Sequence, residues 1–314
     1  MTESPTCPGC AATTSRPAFL AVNRREGLDA RGSYVKCTDC GTLRLDGAPS
    51  GEDLSAAYAT GEIDPVGEQI PSAADRNPPA QSLPASLARH VRRAIFGRPH
   101  SWPEEEGNGR RLLDFGCLDG SKLVDFYQRG WEVAGVDLNR AGIDRARSRL
   151  PGAFFHAGPI EALAPEERFD VIRTDNVLEH IPQPREIIAH LRTRLRPNGR
   201  LFAYVPSGES LSVRLFHDRS VSVWVPYHLS LFSREGLGRL FTRAGFSNVS
   251  VLPFTPPDWW KITARQLVAK PGYLSKPATP IERVALLAEK LASPALLALS
   301  RTSLAEEWVV VARD

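Results

Sequence analysis

One stretch constrains this chain of 314 residues more than any other. Arg110-Arg111-Leu112-Leu113-Asp114-Phe115-Gly116-Cys117-Leu118-Asp119-Gly120 begins as a short buried strand and ends in a glycine turn. A helical pattern over Lys122–Arg129 places Leu123, Val124 and Phe126 for packing, and a second strand, Trp131–Asp137, closes on an acidic residue. Strand, turn, helix and strand in that order point to a sheet with helices on its faces. A glycine turn between strand and helix lets a ligand approach the backbone, and a carboxylate ending the next strand can accept both hydroxyls of a ribose. The turn reads D-x-G-x-x-x-G rather than G-x-G-x-x-G. A carboxylate at its opening repels a pyrophosphate but receives the ammonium of an amino acid, so the pattern favours S-adenosylmethionine (SAM) over a dinucleotide.

Further motifs follow in order. Phe169-Asp170-Val171-Ile172 opens a strand that runs on to Val177-Leu178-Glu179-His180-Ile181-Pro182. A helix, Pro184–Leu195, leads to a turn, Arg196-Pro197-Asn198-Gly199, a strand, Arg200–Val205, and much later a last strand, Trp308–Ala312. Together with the glycine turn, these segments resemble the class I SAM-dependent methyltransferases of the small-molecule branch, with their LLDxGCxxG, FDVI…VLEHIPxP and LRPGGxLxxxVP motifs. The resemblance covers about residues 110–254 and returns in the last strand. It implies an α/β fold, a Rossmann-like seven-stranded doubly wound sheet, with SAM as cofactor. It assigns Asp114, Gly116 and Gly120 to the methionine end, Asp137 to the ribose and Leu138 to the adenine, with Phe115, Cys117 and Ile160 as further cofactor-binding candidates. Asp175 and Asn176 leave the fourth strand at the carboxyl edge, where such sheets bind ligands. Two departures stand out: Leu118 replaces the middle glycine of the family's turn, and Ala157-Gly158-Pro159-Ile160 lacks the acidic residue that often meets the adenine amino group.

Methyl transfer from a sulfonium is an in-line displacement in which alignment does most of the work. A base is needed only where the acceptor must lose a proton. His180 has a counterpart that shapes the site floor in the family; a structural histidine at a helix start is an equal alternative. His228 lies in Trp224-Val225-Pro226-Tyr227-His228-Leu229-Ser230-Leu231-Phe232-Ser233, which resembles the family's P-x-H-L-x-x-F-S element. In sugar C-methyltransferases with an N-terminal zinc module, a similar element supplies a Tyr/His base. The resemblance therefore implies His228 as base, helped by Tyr227, which stands where those enzymes carry an acid. Cys117, inside the cofactor turn, reads as a small packed residue rather than a nucleophile.

Two cysteine pairs precede all of this. Cys7-Pro8-Gly9-Cys10 and Cys37-Thr38-Asp39-Cys40 have the spacing at which four thiolates enclose one ion, and a closed tetrahedron suits structural zinc. Iron remains an alternative on ligand type alone. Such thiols stay reduced in a cytoplasmic protein. The chain shows neither a signal-peptide pattern nor an apolar run of about 18 residues that could span a membrane, so a cytoplasmic location is expected. A net charge of +3 is too small to indicate a nucleic-acid partner.

The expected organisation is a small N-terminal zinc ribbon over 1–59, a proline-marked linker over 60–82, a basic amphipathic lid or connector helix over 83–109, and the methyltransferase domain over 110–314. An insertion at about 255–303 carries Trp259, Trp260 and an apolar helical stretch, Ile281–Leu291. It suits a substrate wall and the face of a homodimer equally. The expected function is SAM-dependent methylation of a small-molecule acceptor, a sugar or glycosylated intermediate of natural-product or surface-polysaccharide biosynthesis. The alternatives are an RNA methyltransferase with a ribbon-docked substrate, a non-methylating SAM-dependent enzyme such as a cyclase, and a non-catalytic scaffold with a SAM fold.

Overall fold

A computed structural model describes residues 6–23, 30–60, 110–256, 259–268, 280–299 and 302–314. The expected linker, apart from Thr60, and the expected basic helix over 83–109 lie outside the described residues. The N-terminal part forms β1 (Ser15–Val22), β2 (Arg31–Cys37), β3 (Leu43–Asp46) and helix α1 (Gly51–Thr60). Next come β4 (Arg111–Phe115), α2 (Val124–Gln128), β5 (Glu132–Asp137), α3 (Arg140–Arg149), β6 (Phe154–Ala157), β7 (Phe169–Asp175), α4 (Pro184–Thr193) and β8 (Leu195–Pro206). The chain continues with α5 (Leu211–Phe216), β9 (Ser230–Leu231), α6 (Arg234–Arg243), β10 (Asn248–Phe254), α7 (Trp259–Val268), α8 (Pro280–Leu299) and β11 (Glu307–Arg313).

Seven of these strands build one open sheet in the order β10-β11-β8-β7-β4-β5-β6. The run from β8 to β6 is parallel, and β11 lies antiparallel between β8 and β10. Alternate residues of β4 face opposite sides, as the period of a strand requires. Leu113 joins Ile172, Leu201, Phe241 and Trp308 in one core, while Leu112 joins Val171, Phe202, Ile143 and Phe155 in the other. Helices cover both faces, so the central strands read as nearly continuous apolar runs. The winding reverses between β4 and β7, and the crevice outside their carboxyl ends is the place such a sheet offers a ligand.

The second sheet, β1-β2-β3-β9, crosses the expected boundary of the ribbon. Leu43 and Arg44 of β3 pair with Leu231 and Ser230 of β9, so the ribbon is completed by a strand that follows β8 of the large sheet. One apolar cluster spans the joint, with Tyr34, Leu45 and Leu54 from the ribbon and Val213, Val225 and Leu231 from beyond.

Three elements differ from the sequence-based expectation. Residues 196–199 form a bulge inside β8 rather than a turn before it: Phe169 pairs with Leu195 but Val171 with Arg200. The helix expected over Lys122–Arg129 starts as one 3-10 turn, Ser121–Leu123, before α2. The apolar stretch Ile281–Leu291 belongs to a longer helix, α8, which packs with α7 in the insertion. Among the described residues, no helix is long and apolar enough to cross a membrane.

Candidate active site and cysteine cluster

The four sulfurs of Cys7, Cys10, Cys37 and Cys40 lie within 4.8 Å of one another. The Cys7–Cys40 and Cys10–Cys37 separations are both 3.6 Å. A tetrahedron with Zn–S bonds of about 2.3 Å has edges of about 3.8 Å, so the cluster fits a four-thiolate zinc ion with little movement. The contact from Cys7, working against burial and helped by Thr42, pulls the Cys40 thiol down to about 4. The same contact pushes the Cys7 thiol up. Both knuckles seat on α6. Ser233 donates to the Cys40 carbonyl, Arg243 donates to the Gly9 carbonyl at 3.1 Å, and Arg239 pairs with Asp39 at 2.7 Å. The approach is close enough that a Cβ on Gly9 would fall 2.9 Å from the Gly236 Cα.

At the carboxyl edge, β4 delivers Asp114, only 1% exposed. Gly116 follows at φ +80, where a Cβ would lie 2.3 Å from a Val177 methyl, so neither backbone nor space admits a side chain. Leu118 adopts φ 47, the left-handed conformation a glycine would take without strain. Its amide N–H donates to Asp137 Oδ2 at 2.8 Å, and the Asn139 N–H donates to Oδ1 at 2.8 Å. Asp137 thus clasps the turn from the end of β5, and burial raises its pKa against those bonds. Asp114 Oδ1 is buried with no hydrogen-bond partner among the described residues, a costly state for a carboxylate oxygen. The ammonium of a methionine is the donor this atom lacks, so the turn fits SAM.

A charge network surrounds that acid. Burial pushes the Asp114 carboxyl up to about 6, although Arg173 and Lys122 favour its charge. Arg173, 2% exposed on β7, lies 3.9 Å from Asp114 Oδ2 and also bonds Asp175. Burial opposes the charge of Asp175 too, but Lys122, 2.8 Å away, and Arg173 hold it down to about 2. Asn176 donates to Asp175 Oδ1 at 2.9 Å and to Glu307 Oε1 at 3.0 Å. Burial and the charge of Asp175 raise Glu307 to about 8. The sequence reading missed Arg173, Lys122 and Glu307; an arginine inside the apolar strand Phe169–Asp175 was the one local signal.

The remaining cofactor candidates are placed as follows. Phe115 and Leu138 are half-buried, and Gly120 closes the turn against Ala146. Ile160 is 1% exposed and packs its side chain into the main core. Cys117 is 5% exposed, and burial raises its thiol well above the ordinary value, which leaves it inert as a nucleophile.

Beyond β7, the chain turns through Leu178–His180 toward the loop that carries His228. The His180 and His228 rings meet edge to face with centroids 4.7 Å apart. The Trp224 ring lies 6.0 Å from His180 and 5.7 Å from His228, and Tyr227 stands 5.0 Å from Trp224. His228 Nδ1 is 2.7 Å from the Ser222 carbonyl and His180 Nδ1 is 3.0 Å from the Tyr227 carbonyl. A carbonyl only accepts, so His228 Nδ1 is assigned the proton and its Nε2 the lone pair. Tyr227 therefore meets His180 through its backbone. Two ribbon tyrosines that the sequence reading overlooked reach the same place. Tyr34 donates its hydroxyl to the His228 carbonyl at 2.6 Å, and the Tyr58 hydroxyl lies 2.8 Å from His180 Nδ1. The insertion braces the loop from behind: the Val221 N–H donates to Thr263 Oγ1 at 3.3 Å and Arg219 to the Leu267 carbonyl at 2.8 Å. Glu179, also overlooked, is fully buried, and burial raises its carboxyl well above the usual range.

The strand order, the antiparallel β11 between β8 and β10, and the glycine turn clasped by an acid define a class I, Rossmann-like methyltransferase fold. A family model described as "Methyltransferase domain" matches residues 87–251, just over half the chain, and the chain belongs to that family. It is 33% identical over 160 residues to an uncharacterised 37.1 kDa protein in transposon TN4556 of Streptomyces fradiae, a match covering 47% of this chain and 46% of the relative. It is 29% identical over 112 residues to the ubiquinone biosynthesis O-methyltransferase of Acinetobacter baylyi, covering 32% of this chain and 47% of that protein. The chain thus spans about half the length of the curated relatives it matches. Among solved structures, the SAM-bound amino pentose methyltransferase CalS10 of Micromonospora echinaspora is 28% identical, with a TM-score of 0.29, over 38% of this chain and 48% of that one.

Proposed function

We propose that the protein is a SAM-dependent methyltransferase acting on a small-molecule acceptor, a sugar or glycosylated intermediate of natural-product or surface-polysaccharide biosynthesis. The observation that carries the reading is the unpartnered, buried carboxylate oxygen of Asp114 beside a turn that admits no side chain. Asp114 would hold the methionine ammonium, Asp137 the ribose hydroxyls, and Leu138 would pack on the adenine. When bound, SAM supplies a methyl group on a sulfonium, whose departing thioether is a good leaving group.

The chain's own residues handle the acceptor. His228, anchored through Nδ1 on the Ser222 carbonyl, presents Nε2 as the group that takes the acceptor's proton. His180 and Trp224 flank it and orient the acceptor. Aromatic faces interleaved with histidines suit the mixed apolar and hydroxyl surface of a sugar. The cysteine cluster holds a structural zinc, and the ribbon's tyrosines position the histidine loop.

The test uses purified protein, methyl-labelled SAM and an extract of the source organism divided into small molecules, RNA and protein. Label in the small-molecule fraction, absent with His228→Ala, is the expected result. Label in RNA would overturn the acceptor class, and label nowhere would overturn the activity.

A further inference from the structure

We propose that Glu179, His180 and His228 form a second metal site, separate from the four cysteines, for a first-row divalent cation such as Mn2+, Fe2+ or Zn2+. One donor atom from each residue lies within 4.8 Å of the other two. Donors around such an ion, at bonds of about 2.1 Å, stand about 3.0–3.4 Å apart, so small side-chain rotations close the set. Two imidazoles and one carboxylate also have the hardness these ions prefer.

Two further observations point to a ligand. Both carboxylate oxygens of Glu179 are buried with no hydrogen-bond partner among the described residues, and Oε1 lies 3.8 Å from His180 Nε2. A fully buried acid in that condition is a costly feature unless something completes it. His228 is arranged as ligating histidines usually are, its Nδ1 set on the Ser222 carbonyl, while His180 Nδ1 is held between the Tyr227 carbonyl and the Tyr58 hydroxyl. At His228 that arrangement fixes the tautomer, puts the ligating lone pair on Nε2 and raises its basicity. Closed tetrahedral sites are built from four protein donors, whereas three donors leave positions for oxygen atoms of a ligand. An acceptor carrying neighbouring hydroxyls would fill them; with the ion bound, His228 Nε2 would be its ligand rather than the base, and the ion would acidify the hydroxyl it holds, whose proton would leave to solvent. This role in the reaction rests on the function proposed above, whereas the binding of the ion does not.

The experiment titrates Mn2+ alone into the full-length protein with its cysteine-bound zinc in place, and follows the electron paramagnetic resonance signal of free Mn2+. Soft thiolates favour zinc, so Mn2+ leaves the cysteine cluster undisturbed. One saturable Mn2+ per chain is expected, weakened at least about tenfold by Glu179→Gln and by His228→Ala but retained by Cys37→Ser. Thermal unfolding of each variant establishes that it is folded. Absence of saturable binding below about 1 mM, or equal binding by folded Glu179→Gln, would overturn the site. So would a Glu179→Gln protein that melts higher and binds Mn2+ as before, which would make Glu179 a buried acid only. None of these readouts depends on SAM binding or methyl transfer, so the two proposals fail separately.

Discussion

Replacing Tyr34 with phenylalanine removes one oxygen atom and tests whether the ribbon governs the acceptor side. Tyr34 is 1% exposed on β2, and its hydroxyl donates to the His228 carbonyl at 2.6 Å. The ring keeps its place in Tyr34→Phe, because it stacks on Phe19 with centroids 5.2 Å apart. The variant therefore loses no apolar contact, and the carbonyl of His228 loses a buried donor at a cost of about 1–2 kcal/mol. Unfolding entropy of about 2.1 cal/mol/K per residue gives roughly 0.7 kcal/mol/K for a chain of this length, so the melting temperature should fall by about 1.5–3 °C. The larger effect is on geometry. A displacement of His228 by a fraction of an ångström should lower kcat about tenfold, while SAM affinity, which the proposed function assigns to Asp114 and Asp137, should stay within about twofold. Differential scanning fluorimetry, binding of labelled SAM and initial rates of methyl transfer read the three quantities separately. A loss of SAM affinity matching the loss of kcat, or no change in any of the three, would refute the reasoning.

Cys37→Ser should lower solubility and acceptor affinity but leave SAM affinity nearly intact, as read by equilibrium dialysis; a folded variant that bound no SAM would mean that the ribbon and the cofactor turn are one unit. Asp114→Asn should weaken SAM binding about 10–100-fold, the worth of one charge-assisted hydrogen bond. The wild-type carboxyl ionises at about 6 in the folded protein against 3.8 in an unfolded chain. Its contribution to cofactor-free stability is therefore present below the unfolded value and lost as pH rises through 6. If the ammonium binds the ionised form, as proposed, SAM affinity should fall by up to about tenfold per pH unit below that point, and calorimetry on Asp114→Asn should show no such slope. Cys117→Ala should keep methyl transfer within about threefold, since a packed, raised-pKa thiol does no chemistry; a hundredfold loss in the labelled-SAM assay would place that sulfur in the mechanism.

The parts legible in the sequence were those set by short spacings. Gly116 must be glycine because of its φ and the Val177 methyl, and that requirement shows as a fixed interval between Asp114 and Gly120. The alternating residues of β4 and the apolar runs of β7 and β11 announced a sheet covered on both faces. What the sequence concealed came from pairs far apart in the chain. Nothing near Tyr34 signals that it will meet His228, 194 positions away, and nothing near Leu43 signals a partner in Leu231. Glu179 hid for a different reason. Beside His180 it reads as an ordinary polar residue of a helix start, and only its burial without a donor makes it unusual. The bulge at 196–199 carries the same Pro-Asn-Gly residues as a true turn, and only the register of β8 against β7 tells the two apart.

The two-residue strand β9 has a consequence for how this chain can be divided. It covers the outer edge of β3, and the cluster beneath it joins Tyr34 and Leu45 to Val225 and Leu231. An uncovered strand edge is a template for pairing with another chain. Expressing residues 1–59 alone would bare that edge together with its apolar underside, and the remainder would carry the matching surface. Each half would then tend to pair with further copies and precipitate, whereas the two co-expressed as separate chains would mend into one soluble particle.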